Sequence, residues 1–294
     1  MAQTQTIAVR TRLIINIVLF ISIVALALFI SSGLNDKTSE TDVSLTGLDV
    51  ASINKIKIMR STSGDILFQK ENGKWWMQEP YHMPANEFRI NTMLNLPGAH
   101  SYTQFRKDDV ELERFLLHEP EVTIEFDNTR IDFGDTSPLG EHRYVLVNDT
   151  VHLINDSLYQ QLQTPATFFL STKLLPEDKE IKSIQFPGYT ISKQENKWNV
   201  EPEQDAGSDD IVKLVHAWRM ASAISIRDIE TGDNLGTVRV ELEDGASIEI
   251  VILNPLPQLI LARPDIGLQY HISSYDAENL FLRPASNNEP PVTY

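Results

Sequence analysis

Seven histidines and 41 acidic residues are the groups in this 294-residue chain that could carry acid–base or metal chemistry. The histidines are His82, His100, His118, His142, His152, His216 and His271. No two lie three or four apart, the spacing with which a helix offers two imidazoles to one zinc ion. Cysteine is absent, which removes disulfides, thiolate metal sites and cysteine nucleophiles. GEHRY (Gly140 to Tyr144) sets Glu141, His142 and Arg143 side by side. Successive strand residues alternate faces, so this triplet reads as a solvated loop. RKDDVELER (Arg106 to Arg114) is a mixed charge run whose acids lack the spacing of a calcium loop. A polar helix face or linker is its plain reading, and a protein-docking patch is the sharper one. No G-x-S-x-G, H-E-x-x-H, P-loop or G-x-G-x-x-G is present. With so many acids, two carboxylates meet by chance, and sequence alone singles out no pair for acid–base work. The expectation is therefore no catalytic, cofactor-binding or metal-binding residue and no cofactor. The rival, an envelope hydrolase, requires the fold to gather His, acid and Ser.

The elements that position these groups are written twice. QKENGKWWMQEP (69–80) and SKQENKWNVEP (192–202) share Lys, Asn, Trp and a closing Glu-Pro. The flanks match as well. INKIKI precedes the first copy and IKSIQF the second, each a half-buried strand by its alternation. Asn72-Gly73 predicts a type I′ hairpin turn; Asn196-Lys197 stands in the second copy. Helices come next. Ile90, Met93 and Leu94 form one stripe behind an Asn86 cap, with Pro97-Gly98 as its stop. Ile211, Leu214, Val215 and Trp218 form the other, capped by Ser208 or Asp209. EVTIEF, RIDFG, RYVLV and TVHLI then match strands within Thr237–Leu253, QLILA and LQYHI. DSLYQQL and DAENL close the copies as short helices. The offset drifts from 128 (Ile53, Ile181) through 122 (Trp76, Trp198) to 116 (Val122, Val238), as loop insertions and deletions produce. The predicted fold is α+β, two tandem duplicated modules of about 120 residues, each an antiparallel sheet with a packed helix.

Trp76 and Trp198 are expected to anchor the following helix on the sheet edge, while Pro80 and Pro202 end the strand. A ligand-stacking platform is the lesser reading of the pair. Trp75 points to the other face, finds no match in the second copy, and is the candidate interaction surface.

The termini speak about location. Leu13–Ile30 is eighteen residues without a charge, about 27 Å as a helix, which matches a bilayer core. Arg10 and Arg12 precede it with no acid, so the first thirty residues carry +2 and the rest −18 of the net −16. The positive-inside rule places the N-terminus in the cytoplasm and the chain beyond about residue 31 outside. A cleaved signal peptide competes through Ala25–Ala27, but the run exceeds the usual ~7–15 apolar residues, which favours an uncleaved signal anchor. The acidic remainder repels polyanions, so no nucleic-acid partner is expected. The organisation reads as a cytoplasmic N-terminus (1–12), a transmembrane helix (13–31), a flexible linker (32–50), the first module (51–175), the second module (176–284) and a disordered tail (285–294).

A Trp-x-x-x-Pro after a hairpin, an amphipathic helix, RFLLHEP (Arg114 to Pro120), IDFG and RYVLVNDTVHLI occur in order. This order resembles the domain of unknown function 4340 family. Phe115, Leu117, Pro120, Gly134 and Tyr144 fit its pattern, while Leu116 stands where the family usually has Gly. The second copy has DIETGDNLG in place of FLLHEP. The resemblance, over roughly 50–285, implies a single-pass or secreted bacterial envelope protein, often encoded beside a gliding-motility-type ABC transporter with ATPase and permease partners. It implies no catalytic residue. The resulting expectation is a non-enzymatic, membrane-anchored periplasmic scaffold or accessory subunit of an envelope complex. The alternative is a sensor or binding module for a small lipid or glycan in the cleft between modules.

Overall fold

In KIKIMR, Ile56 and Ile58 are fully buried while their neighbours are not, and this strand, β1 (Lys55–Arg60), is an interior strand of the first sheet. The computed structural model describes residues 44–282 apart from Leu139, Asn196, Asp205, Thr231 and Leu256. The expected N-terminus, transmembrane helix, linker as far as Val43 and tail lie outside the described residues. Among those described, no helix is long and apolar enough to cross a membrane.

The first module continues with β2 (Ile66–Glu71), β3 (Lys74–Glu79), β4 (Met83–Pro84), α1 (Glu87–Leu94), β5 (Thr103–Arg106), β6 (Val122–Phe126), β7 (Thr129–Thr136), β8 (His142–Val147), β9 (Thr150–Asn155) and α2 (Tyr159–Leu162). The second contains β10 (Ile181–Phe186), β11 (Tyr189–Gln194), β12 (Lys197–Glu201), α3 (Ser208–Met220), β13 (Ala223–Asp228), β14 (Thr237–Leu242), β15 (Ser247–Asn254), β16 (Ile260–Arg263), β17 (Leu268–Ile272) and α4 (Ser274–Ala277). The first sheet runs β4-β3-β2-β1-β6-β7-β8-β9-β5 and the second β12-β11-β10-β14-β15-β16-β17-β13. Every pairing is antiparallel. Without β4 the two orders coincide strand for strand, so this is a mostly-β, α+β protein of two modules built alike.

The helices form where the stripes predict. Asn86 caps α1 by accepting from the Arg89 N–H at 3.2 Å, and Ile90 and Met93 are buried. In α3 the buried residues are Ile211, Leu214, Val215 and Trp218, but the N-cap is Gly207, not Ser208 or Asp209. β4, β5 and β13 have no counterpart among the expected strands, β4 being only two residues long. All four β5 residues are exposed, so no period marks them, and a bulge between Ala223 and Ser225 interrupts the alternation of β13.

The modules share one strand-like segment. Phe169 and Leu170 lie along Ala85–Asn86, with Asn86 N–H donating to the Phe169 carbonyl at 2.7 Å. A few residues on, the same segment pairs with the start of β13. Leu174 N–H donates to Ala221 at 3.0 Å, and Ala223 N–H to Thr172 at 2.8 Å. Ser44 and Leu45 repeat this second arrangement on the first module, where Leu45 N–H donates to Ala99 at 2.8 Å. Core residues from both sheets, from Ile56 to Ile272, belong to one continuous cluster. Tyr81 also reaches across to donate to Asp228, and burial followed by that carboxylate pushes its phenol up to about 12.

Candidate functional site

The repeated tryptophan is not the pair expected from spacing. β3 carries a bulge: Phe68 faces Met77 but Leu67 faces Glu79, so Gln78 is an extra residue. β12 has none; Ile191 faces Val200 and Thr190 faces Glu201. Counting from the turns, Trp198 therefore matches Trp75, at an offset of 123, and Asn199 matches Trp76. The turns agree: Asn72 (φ 49°) and Gly73 (φ 83°) are left-handed, and Glu195 (φ 49°) opens the second turn in the place of Asn72, again at an offset of 123. Likewise Ile56 faces Phe126 and Ile184 faces Val240, so Val238 matches Ile124 rather than Val122.

This reverses the faces. Trp75 is 8% exposed and part of the core, so it is not an interaction surface. Trp198 is half-buried against that core. Trp76 is the residue without a counterpart; it is half-buried on the other face, its ring 5.5 Å from that of His82. A one-residue slip moves every side chain to the opposite face, and the Gln78 bulge is such a slip. Pro80 and Pro202 do end their strands, and both Glu-Pro bonds are cis.

Among the described residues the reactive side chains do not gather at one site. Ser101 Oγ lies 3.0 Å from His152 Nδ1, a nucleophile–base pair by composition, but both residues are buried, and burial lowers the His152 pKa. His271 is buried beside Gln269 at 3.1 Å, its pKa lowered by burial and then by Arg227. Arg143 is buried, holds Asp156 through two bonds of 2.8 and 2.9 Å, donates to the Gly134 carbonyl, and covers the Tyr159 ring at 3.6 Å. Arg263 makes the same fork with Asp265 and donates to Leu174 at the junction. These are structural pairs. Of the triplet in GEHRY, Arg143 points into the core while Glu141 is an exposed residue in a left-handed turn. Among the described residues no three His, Asp or Glu are grouped to hold a metal. A polar trough of about 350 Å³ lies on the outer face of β10, β11 and β14, between Lys182, Gln185, Ser192, Arg239 and Glu241, not at the junction.

The modules differ most in the segment before β6 and β14. In the first, 3₁₀ turns at Lys107–Asp109 and Leu112–Phe115 form a flap over the outer face of β7–β9. Leu117, with half-buried Val110, Leu112 and Phe115, seals Leu146, Val151 and Tyr144. Gly134 makes room: a Cβ there would sit 2.8 and 2.9 Å from Leu117 side-chain atoms and closer still to the Phe115 carbonyl. Counting from the β8–β9 and β16–β17 turns, Leu253 holds the place of Gly134. In the second module the opposing loop residue is Gly232, where an added Cβ would lie 3.8 Å from Leu253. Small strand residue under large loop residue has become large under small.

Residues 75–234 match the family described as a domain of unknown function (DUF4340). The chain belongs to the DUF4340 family. The matched stretch begins in β3 and ends just before β14, so the DUF4340 unit contains the linker segment and both edges it joins. Leu116, which stands where the resemblance leads us to expect Gly, adopts φ 54°, ψ 32°, the left-handed region that Gly enters freely and Leu at roughly 1–2 kcal/mol. No curated protein and no solved structure matches the chain.

Proposed function

We propose that this DUF4340 protein is a non-enzymatic, single-pass scaffold or accessory subunit of an envelope complex. Leu13–Ile30 anchors it in the cytoplasmic membrane, both modules lie outside, and its partners are membrane proteins, in the first instance the permease and ATPase components of an ABC-type transporter. The observation that supports this best is the junction. One linker segment bonded to both sheets, over one continuous core, makes a stiff platform in place of a hinged cleft. Such a body presents surfaces at fixed separation, and a tether keeps it near its partner, so a weak interface suffices. Purification of the full chain in mild detergent, with crosslinking in intact cells, is expected to recover membrane proteins with it. A monodisperse monomer without crosslinked neighbours would overturn the reading.

The polar trough favours a second reading, a binding module for an envelope glycan. Its hydroxyl, amide and charged lining suits a polyhydroxyl ligand and does not suit a lipid tail. Glycan binding lost on Arg239→Ala would support it, and no binding to a panel of envelope glycans would remove it.

A further inference from the structure

The flap fastens itself through Leu117 and leaves its neighbour outside. Leu116 is 59% exposed, gaining no burial from a backbone conformation that Leu adopts at a cost. Phe105, 38% exposed, stands opposite Val151 in the β5–β9 ladder, on the same face and at the margin of the cluster that the flap seals. Between Arg106 and Glu121 six carboxylates outnumber three basic side chains. The ion pairs there are long and exposed, Arg106–Asp108 and Arg114–Glu111 each at 3.9 Å, and neutralise little. An apolar centre with a charged rim is the anatomy of a protein interface. The second module's shorter loop exposes Ile229 and Leu235 to 37% and 36%, but neither as far as Leu116.

We infer that Phe105 and Leu116 form a docking surface for a protein partner that presents an apolar pocket rimmed by Lys or Arg. The inference rests on the scaffold reading and gives it a face. Its acidic rim is repelled by anionic lipid, which sets a protein ahead of a membrane surface. The test is a photo-crosslinking amino acid, p-benzoylphenylalanine, at Phe105 of the full chain in intact cells, with Ile224 and Tyr275, both exposed on the second module, as control positions. A protein adduct is expected at Phe105, its crosslinked peptide rich in Lys or Arg. Its yield should fall about tenfold with Leu116→Gly, the loss of ~1.4 kcal/mol of docking energy. It should fall at least as far with Glu111→Lys combined with Glu113→Lys. Leu116→Gly relaxes the turn, so an unchanged or raised melting temperature separates lost docking from lost folding. Adducts at Ile224 or Tyr275 but not at Phe105 would overturn the surface and leave the scaffold standing. No adduct at any position would overturn both. An adduct to phospholipid or to a second copy, or one indifferent to these substitutions, would overturn the surface.

Discussion

Gly134→Ala tests whether the flap is held by the fit described. The new methyl would fall about 1 Å inside ordinary carbon contact with Leu117, and it faces the Phe115 carbonyl, which is backbone and cannot rotate away. The flap must back off. Its apolar seal comprises one buried Leu, worth about 2 kcal/mol, and three half-buried side chains at about 1 kcal/mol each, roughly 5 kcal/mol together. A gap of 0.5–1 Å forfeits about a quarter to a half of such contact energy, or roughly 1–3 kcal/mol. Ala returns about 0.5–1 kcal/mol through its better strand preference. The net loss is centred on about 1 kcal/mol, within roughly 0–2.5 kcal/mol, and concentrated in the flap, which opens up to about tenfold more often. Limited trypsin digestion reads this directly, because Arg106, Lys107 and Arg114 lie in or beside the flap. Cleavage there should accelerate up to about tenfold while the urea midpoint of the rest moves little. Gly232→Ala is the control, since its nearest neighbours begin at an ordinary 3.8 Å and no shift is expected. Wild-type trypsin kinetics in Gly134→Ala, or equal acceleration in Gly232→Ala, would refute the packing argument.

Trp75→Ala should cost about 3–5 kcal/mol in urea unfolding and Trp76→Ala about 1, the reverse of what the spacing from Pro80 implies. Arg143→Met should lose about 3–5 kcal/mol by stranding Asp156, and adding Asp156→Leu should restore most of it. Tyr270→Phe should raise stability by about 1 kcal/mol, because the Tyr270 hydroxyl is buried with no hydrogen-bond partner. The folded-state pKa values of His152 and His271 lie below their unfolded value, so the unfolded chain binds more protons. Stability should therefore fall as pH drops from about 6.5 towards those lowered values, by at most ~1.4 kcal/mol per pH unit per histidine, and His152→Gln should flatten the slope in pH-dependent melting curves.

Much of the architecture is local in origin and can be read from the chain. β1, β6 and β14 announce themselves by alternation, α1 and α3 by their stripes, and the first hairpin by Asn72-Gly73, because each depends on neighbours within a few residues. The recurrence of these signals in one order foretells two like modules and points to the family. Trp75 marks where that reasoning stops. The bulge at Gln78 is a property of the β2–β3 ladder, and without it spacing assigns Trp75 to solvent and pairs Trp198 with the wrong residue. β5 is illegible for a related reason: at the sheet edge none of its side chains is buried, so nothing in Thr103–Arg106 alternates. Gly134 is visible as a family match, but its purpose is not, since Leu117 and the Phe115 carbonyl reach it only when the flap folds back over β7. The exposed face at Leu116 obeys the same rule. Its residues are plain in the sequence, and that Phe105 stands opposite Val151, a member of the cluster the flap seals, is a fact of the sheet. Sequence alone determined the periodic elements, the duplication and the absence of thiol chemistry, since periodicity and composition are written residue by residue. Tertiary structure decided faces, edges and contacts, because those depend on hydrogen-bond register between strands far apart in the chain.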